Sequence, residues 1–216
     1  MSHPNTPPSR AAARLAAAGL LALAGCNVIP PAQEDATRYF VLSGAEPAAA
    51  EAGQPAAGAT LRIGLRTVRL ESYLSRRQMV VRAGPNEVRF EDFRRWAEPL
   101  DAAITRVVRA SLLSAPSVSQ VFAEPFPFDQ ARDFDVSIDV VRFEGTLAAD
   151  GKYAASVTAV VEISTTGADS RVVSHRIYEA PSLEWDGTDF GRLAALLNSD
   201  VASLAREVVS ELPSKP

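Results

Sequence analysis

Two stretches of the sequence place apolar residues at the three- and four-residue spacing that lays one hydrophobic stripe along a helix. The first stripe consists of Phe93, Trp96, Leu100, Ile104, Val107, Val108 and Leu112, and the second of Phe190, Leu193, Leu197, Val201, Leu204, Val208 and Leu212. Pro99 cannot lie inside the first helix, because proline lacks an amide proton and clashes with the preceding turn. Either Pro99 occupies the first turn of the main helix, or residues 93–98 form a separate turn.

The rest of the ordered sequence alternates apolar and polar residues with the period of two that predicts half-buried strands. The predicted strands cover residues 61–67, 78–82, 87–90, 118–122, 134–143, 153–163 and 171–178. Gly84-Pro85-Asn86 carries turn chemistry and predicts a hairpin between the second and third strands. The alternation shifts phase at Val140-Val141, which indicates a bulge, and the last three strands predict an antiparallel meander.

Each group of strands is followed by one helix with a single apolar stripe, so both helices can cover one face of a shared sheet. We therefore expect an α+β fold: a mixed, largely antiparallel sheet with two long amphipathic helices packed on one face, in a single domain over residues 61–213. Residues 26–60 are expected to form a tether. It contains a short strand at 39–42 and an Ala/Gly/Pro-rich linker with no large apolar residue to bury.

The first 25 residues have the pattern of an export signal. Arg10 and Arg14 precede an apolar run of about ten residues, too short to span a bilayer, which needs about 20. The run ends in Leu23-Ala24-Gly25-Cys26, and Cys26 is the single cysteine of the chain. Small residues before a cysteine are typical of a bacterial lipoprotein signal, whose cleavage leaves a lipidated N-terminal cysteine. Residues 1–25 are thus predicted to be a signal peptide and Cys26 the lipidation site. The protein is expected to be anchored by lipid to a membrane of the cell envelope and to face the periplasm.

Charge and composition exclude several classes of function. The chain has 22 basic and 26 acidic residues, and losing Arg10 and Arg14 with the signal leaves 20 against 26, a net charge of −6. That balance argues against nucleic acid as a partner, because phosphate binding needs clustered positive charge. With Cys26 acylated, no thiol remains for a disulfide or a metal site. The residue after it, Asn27, favours the outer over the inner membrane under the sorting rule in which aspartate there causes retention at the inner membrane.

Catalytic chemistry has few residues to draw on. After processing, the remaining histidine is His175, and the sequence carries no nucleophile elbow, zinc-binding helix motif or phosphate-binding loop. Asp133, Asp135 and Asp139 lie on one strand face and could hold a cation, but a metal site needs converging ligands from elsewhere and none is visible, so we expect a solvated strand face. We expect no catalytic residue, no metal and no cofactor.

A basic segment and one aromatic residue are the candidates for binding a partner. Six arginines between residues 62 and 82 make the region before the first helix locally basic: Arg62, Arg66, Arg69, Arg76, Arg77 and Arg82. They could meet lipid headgroups or an acidic partner, or serve as solubilising charge on strand edges. Trp185 could anchor a partner or pack against its own helix. The candidate partner-binding residues are Tyr73, Arg76, Arg77 and Trp185.

Three segments together resemble one family, the ABC-type transport auxiliary lipoproteins, which include the paraquat-inducible protein C-like lipoproteins. The segments are the lipoprotein signal followed by Arg38-Tyr39-Phe40-Val41-Leu42, the stretch Tyr73-Leu74-Ser75-Arg76-Arg77-Gln78-Met79-Val80-Val81-Arg82, and Arg95-Trp96-Ala97-Glu98-Pro99-Leu100. The stretch over 73–82 is similar to the family's Y-L-x-R-x-Q-[MLI]-V-x-R core. The chain departs from the family in lacking the proline that commonly stands shortly before the Tyr-Leu pair.

The resemblance implies a non-enzymatic envelope subunit. It would work with an MCE-domain substrate-binding protein, a permease and an ATPase to move lipid between membranes, with a homo-oligomer as a further possibility. The alternative is an assembly or scaffold lipoprotein for an outer-membrane barrel or a cell-wall complex. A third hypothesis is that the domain itself carries a lipid between helix and sheet.

Overall fold

The computed structural model describes residues 34–44 and 58–213. Within them the chain forms ten strands and two α-helices. The strands are β1 (Arg38–Phe40), β2 (Leu61–Leu65), β3 (Arg69–Leu70), β4 (Gln78–Gly84), β5 (Glu87–Trp96), β6 (Val118–Ala123), β7 (Phe134–Leu147), β8 (Tyr153–Thr165), β9 (Val172–Glu179) and β10 (Leu183–Trp185). The helices are α1 (Leu100–Ser114) and α2 (Phe190–Ser210), and a short 3₁₀ helix covers Ser72–Ser75.

The sheet is organised around its longest strand, β7. Along one side β7 pairs antiparallel with β8 over its whole length, and β8 pairs in turn with β9 and β10. Along the other side β7 pairs in parallel with β2, β3 and β4. Beyond these lie β6, parallel to β2, and β5, antiparallel to β4. The predicted hairpin, meander and bulge are confirmed, the bulge as a shift of register between Val140 and Arg142.

The core lies between one face of this sheet and the two helices, as the alternation predicted. Val136 pairs with Ile163, and Ile138 with Val161; all four side chains are buried. The helices contribute the apolar stripes read from the sequence, with α2 burying Leu193, Leu197, Val201, Leu204 and Val208 among others. The fold is α+β, with two helices on a mixed sheet that is antiparallel for most of its strands.

One glycine lets α2 approach the sheet closely. A Cβ atom on Gly145 of β7 would lie 2.8 Å from the Trp185 ring and 3.3 Å from a methyl group of Leu193. No side chain fits at that separation, so a glycine is required there for α2 and Trp185 to pack on β7.

The first helical stripe was predicted to begin too early. Phe93 and Trp96 lie on β5, and α1 begins at Leu100 with Pro99 as the residue before its first turn. The strand persists because its end is held on both sides: the Trp96 amide donates to the Arg77 carbonyl at 2.7 Å, and the residue after it donates to Phe40 at 2.8 Å. Trp96 is nevertheless a core side chain, as its apolar spacing suggested.

The N-terminal strand is shorter than predicted and is docked on the sheet. Strand β1 ends at Phe40, and the predicted strand residue Leu42 lies beyond it with 1% of its surface exposed. Gly44 is held by Asn198 of α2, which accepts its amide proton at 2.8 Å. Cys26, the predicted signal peptide and linker residues 45–57 lie outside the described part of the chain. In the part described, no helix is both long and apolar enough to cross a membrane.

One ionisable side chain of α2 lies in the core. Asp200 is 2% exposed, and its Oδ2 has no hydrogen-bond partner among the residues described. Burial raises the pKa of Asp200 from 3.8 to about 6, because removal from water disfavours the charged carboxylate. The folded state therefore binds this proton more tightly than the unfolded state, and the stability that it contributes is lost as pH rises through about 6.

Asp200→Asn should therefore stabilise the protein more at pH 8 than at pH 5. We expect the difference in unfolding free energy between variant and wild type to grow by about 1 kcal/mol over that interval, as measured by urea unfolding. Asp169→Asn, in the exposed turn between β8 and β9, is the matched control. An Asp200→Asn effect that does not change with pH would contradict this assignment.

Candidate functional site

The segment that carries the sequence motif is fastened to the sheet by a buried carboxylate. Glu144 lies on β7 next to Gly145. Because Gly145 faces α2 and successive strand residues alternate, Glu144 points to the face of the sheet opposite the two α-helices. The Tyr73 hydroxyl lies 2.9 Å from one carboxylate oxygen, and Arg82 donates to the other. The 3₁₀ helix supplies Tyr73 and the second half of β4 supplies Arg82, and together they hydrogen-bond an acid that is 1% exposed.

The electrostatics of this cluster fix its protonation. Burial, then the negative charge of Glu144, raises the pKa of Tyr73 to about 12, so its hydroxyl stays neutral and donates a proton. The hydrogen bond to Glu144 raises the pKa of Arg82 above its ordinary value, which keeps the guanidinium charged. A buried ion pair in which both carboxylate oxygens are hydrogen-bonded holds this segment to the sheet and has a structural role.

The next two motif residues point outward. Arg76 and Arg77 are both exposed. The Arg76 guanidinium lies over the Phe90 ring, 4.9 Å from its centroid. The Arg77 side chain has no ion-pair partner in the described chain, although its backbone carbonyl accepts from Trp96. Of the residues proposed from sequence, these two offer positive charge to an external partner.

Strand β1 extends this exposed region with aromatic side chains. Tyr39 pairs with Arg95 of β5, and Arg95 pairs with Gln78 of β4, so their side chains form one row across three strands. Tyr39 is 58% exposed and Phe93, two residues before Arg95, is 56% exposed. We refer to Tyr39, Arg76, Arg77, Phe93 and Arg95 as the basic-aromatic surface.

Trp185 does not belong to that surface. It lies on β10, a short strand that the sequence did not predict, and is 5% exposed. Its ring packs edge-on between Tyr153 and Phe190, and its indole nitrogen donates to the Asp189 carbonyl at 2.7 Å. A buried ring with its polar atom satisfied packs within its own domain, which was the alternative to an exposed anchor. Tyr73 is likewise half-buried and engaged internally.

The Arg-Trp-Ala-Glu-Pro-Leu motif builds the fold around α1. Trp96 packs edge-on against Phe143 with ring centroids 5.6 Å apart. Glu98 pairs with Arg106 of α1, and Arg106 also donates to the Leu42 carbonyl at 2.8 Å. The motif thus ties the N-terminal segment to the first helix.

The two aspartates of β7 are paired with arginines, and the expectation of a solvated face is wrong for Asp135, whereas the Asp139 side chain remains 38% exposed. Asp135 is 6% exposed and accepts from Arg132 at 2.8 Å and from Arg66 at 3.2 Å. Asp139 pairs with Arg69 of the parallel strand β3. Arg66 and Arg69 neutralise these aspartates, as Arg82 neutralises Glu144, so three of the predicted basic residues serve the sheet itself. No group of three potential metal ligands converges within the residues described.

His175 lies apart from this region, on β9. Its side chain is 58% exposed, and Nδ1 lies 3.5 Å from the Glu162 carboxylate on the neighbouring strand. Glu162 is directly opposite in the strand register. The pair is a surface cross-strand contact.

Sequence reasoning missed Glu144, on which the motif segment depends. An isolated glutamate just past the bulge in β7 looks like any surface acid. The phase shift at Val141 was the available signal, because it decides which face Glu144 occupies, and only the tertiary pairing with β4 brings Arg82 to that face.

The chain resembles known proteins in sequence and in fold. The model of the family described as ABC-type transport auxiliary lipoprotein component matches residues 40–209. Among solved structures, protein XCC0632 from Xanthomonas campestris, of the family DUF330, is 21% identical with a TM-score of 0.60, over 71% of this chain and 85% of that chain. An uncharacterized protein is 17% identical with a TM-score of 0.63, over 82% and 99%. These two likenesses show the fold. No curated protein matches in sequence.

Replacing Arg82 should destabilise the domain far more than replacing an exposed arginine. Arg82→Met leaves the Glu144 charge buried without its partner, and we expect a loss of about 3 to 5 kcal/mol in unfolding free energy, measured by urea denaturation. Arg77→Met, the control from the same segment, should change stability by less than about 0.5 kcal/mol. Combining Arg82→Met with Glu144→Leu should recover much of the loss. Equal effects of the two single substitutions would contradict the role given to Glu144.

Proposed function

The chain belongs to the family of ABC-type transport auxiliary lipoprotein components, and we propose that it is the lipid-anchored periplasmic subunit of an MCE-type transporter that moves lipids across the cell envelope. The match over residues 40–209 is the observation that carries this proposal. It includes the motif segments 73–82 and 95–100 and nearly all of the folded domain. The family assignment makes the protein a transport-associated lipoprotein of the envelope; the MCE protein, permease and ATPase are the proposed partners.

The predicted lipoprotein signal supports the anchoring. Two acyl chains hold a protein stably on a bilayer, whereas one does so only marginally. Cleavage before Cys26 would place such an anchor about a dozen residues ahead of β1. Asn27 supports the outer membrane as the destination.

A non-enzymatic role agrees with the family, which is a class of transport component. The residues that could bear chemistry are engaged structurally: Tyr73 and Arg82 with Glu144, and His175 with Glu162. A subunit of this kind acts by holding or positioning others. Among the four residues proposed to bind a partner, Arg76 and Arg77 have side chains that reach solvent.

Co-purification from the envelope tests the proposed function. The full chain with a C-terminal affinity tag, extracted in mild detergent from cells that express the neighbouring transporter genes, should retain the MCE-domain protein. Its matched control is a tagged chain of residues 1–60, which keeps the predicted signal, Cys26 and linker but lacks the domain.

Capture by the full chain and not by residues 1–60 is the expected result. Capture by both would mean that shared membrane, not the domain, accounts for recovery. Retention of an outer-membrane barrel or cell-wall protein in place of the MCE-domain protein would favour the scaffold alternative, and recovery of neither would count against the proposal.

A further inference from the structure

The basic-aromatic surface is a concentration of positive charge on an acidic protein. Arg76, Arg77 and Arg95 are exposed, while the mature chain carries a net charge of −6. Two acids of β5, Glu91 and Asp92, have partners of their own: Glu91 pairs with Arg89, and Asp92 is engaged locally. Its carboxylate accepts from Gln78 at 3.1 Å, and its backbone carbonyl accepts from Arg95 at 3.2 Å. The guanidinium groups therefore remain available to an external anion.

The same surface exposes large apolar side chains. Tyr39 and Phe93 each leave more than half of their area in contact with water, and Val41, which directly follows β1, is 57% exposed. Aromatic rings beside arginines are the combination that favours the interfacial layer of a bilayer, where rings lie at headgroup depth and guanidinium groups contact phosphates.

Chain length fixes how far this surface can be from the predicted anchor. Twelve peptide steps separate Cys26 from Arg38, so β1 begins within about 40 Å of the lipidated residue even when the intervening chain is fully extended. Because β1 is itself part of the surface, its side chains are the first of the folded domain to follow the anchor. The side chains of β1 can therefore reach the surface of the bilayer in which the predicted anchor is inserted.

From these observations we propose that the basic-aromatic surface docks on anionic glycerophospholipid headgroups of the bilayer that holds the anchor. The proposal rests on the lipidation of Cys26 in the proposed function for its geometry, but the surface has its own affinity for lipid. An acidic protein could also bind the arginines of this surface. The exposed rings of Tyr39 and Phe93, close in the chain or the sheet to the segment that follows Cys26, favour the bilayer as the partner. Docking would orient the domain and leave β9 and the far edge of the sheet free for transporter subunits.

Vesicle sedimentation with the unlipidated mature chain tests this directly. Residues 26–216 carrying Cys26→Ser should bind vesicles of phosphatidylglycerol and phosphatidylethanolamine, and binding should fall steeply as salt is raised. Arg76→Ala with Arg77→Ala should lower the partition coefficient about 25-fold, roughly fivefold for each basic side chain removed. Phe93→Ala should lower it further.

Two exposed arginines elsewhere provide the matched control. Arg142→Ala with Arg171→Ala removes the same charge from β7 and from the turn before β9, and should lower binding much less. Circular dichroism checks that each variant is folded.

Equal losses in the two double variants would overturn the proposal, since only net charge would then matter. So would an absence of binding by the unlipidated chain at millimolar lipid. Loss of the MCE-domain protein in co-purification of Arg76→Ala with Arg77→Ala, with vesicle binding unchanged, would assign the surface to a protein. The vesicle assay contains no transporter protein, so its failure leaves the proposed function standing, and failed co-purification leaves the lipid surface standing.

Discussion

The pairing of β1 with β5 is the contact on which the orientation of this protein depends. Three residues, Arg38–Phe40, pair in parallel with the end of β5, and the segment that follows is fixed by burial of Leu42 and by Asn198. If the N-terminal segment were not paired with the sheet, the domain could rotate freely at the end of a flexible tether and no face of it would be favoured. Because the strand nearest the predicted anchor is bonded into the sheet, the point at which the tether meets the domain is fixed, and so are the side chains around it.

The motif over residues 73–82 divides its side chains between structure and surface. Tyr73 and Arg82 turn inward to Glu144, while Arg76 and Arg77 between them turn to solvent. The two roles are linked, since the buried carboxylate holds the segment whose middle carries the exposed charge. A buried acid is costly unless it is paired, so removing one partner alone destabilises the fold that presents the exposed charge.

Local periodicity predicted most of the fold because it reports burial directly. The strict alternation of β8 and the stripe of α2 each have one buried face, and both elements lie where the pattern placed them. Trp96 has helical spacing from Leu100, but backbone bonds to Arg77 and Phe40 extend the strand through it, and no local pattern encodes those partners.

The candidate surface was predictable only in part, for the same reason. Arg76 and Arg77 stand out in the sequence, whereas Tyr39 joins them through the parallel pairing of β1 with β5, and Phe93 through the antiparallel hairpin of β4 and β5. Trp185 and Asp135 were misjudged in opposite senses: a ring offered as an anchor is buried between Tyr153 and Phe190, and an acid on an apparently wet strand face is covered by Arg132. Whether a side chain in a half-buried strand meets solvent is decided by what covers the second face, which lies far away in the chain.

The most direct test of this account is the depth of single side chains in the membrane-bound, lipidated protein. Acylation of Cys26, as proposed, would leave no free thiol in the chain, so a nitroxide can be placed at Phe93→Cys or, as control, at the exposed position Ile177→Cys of β9. In vesicles containing phosphatidylglycerol, the label at 93 should collide with oxygen and be shielded from a water-soluble nickel complex, while the label at 177 should be open to nickel. Equal exposure of both labels to nickel would contradict it.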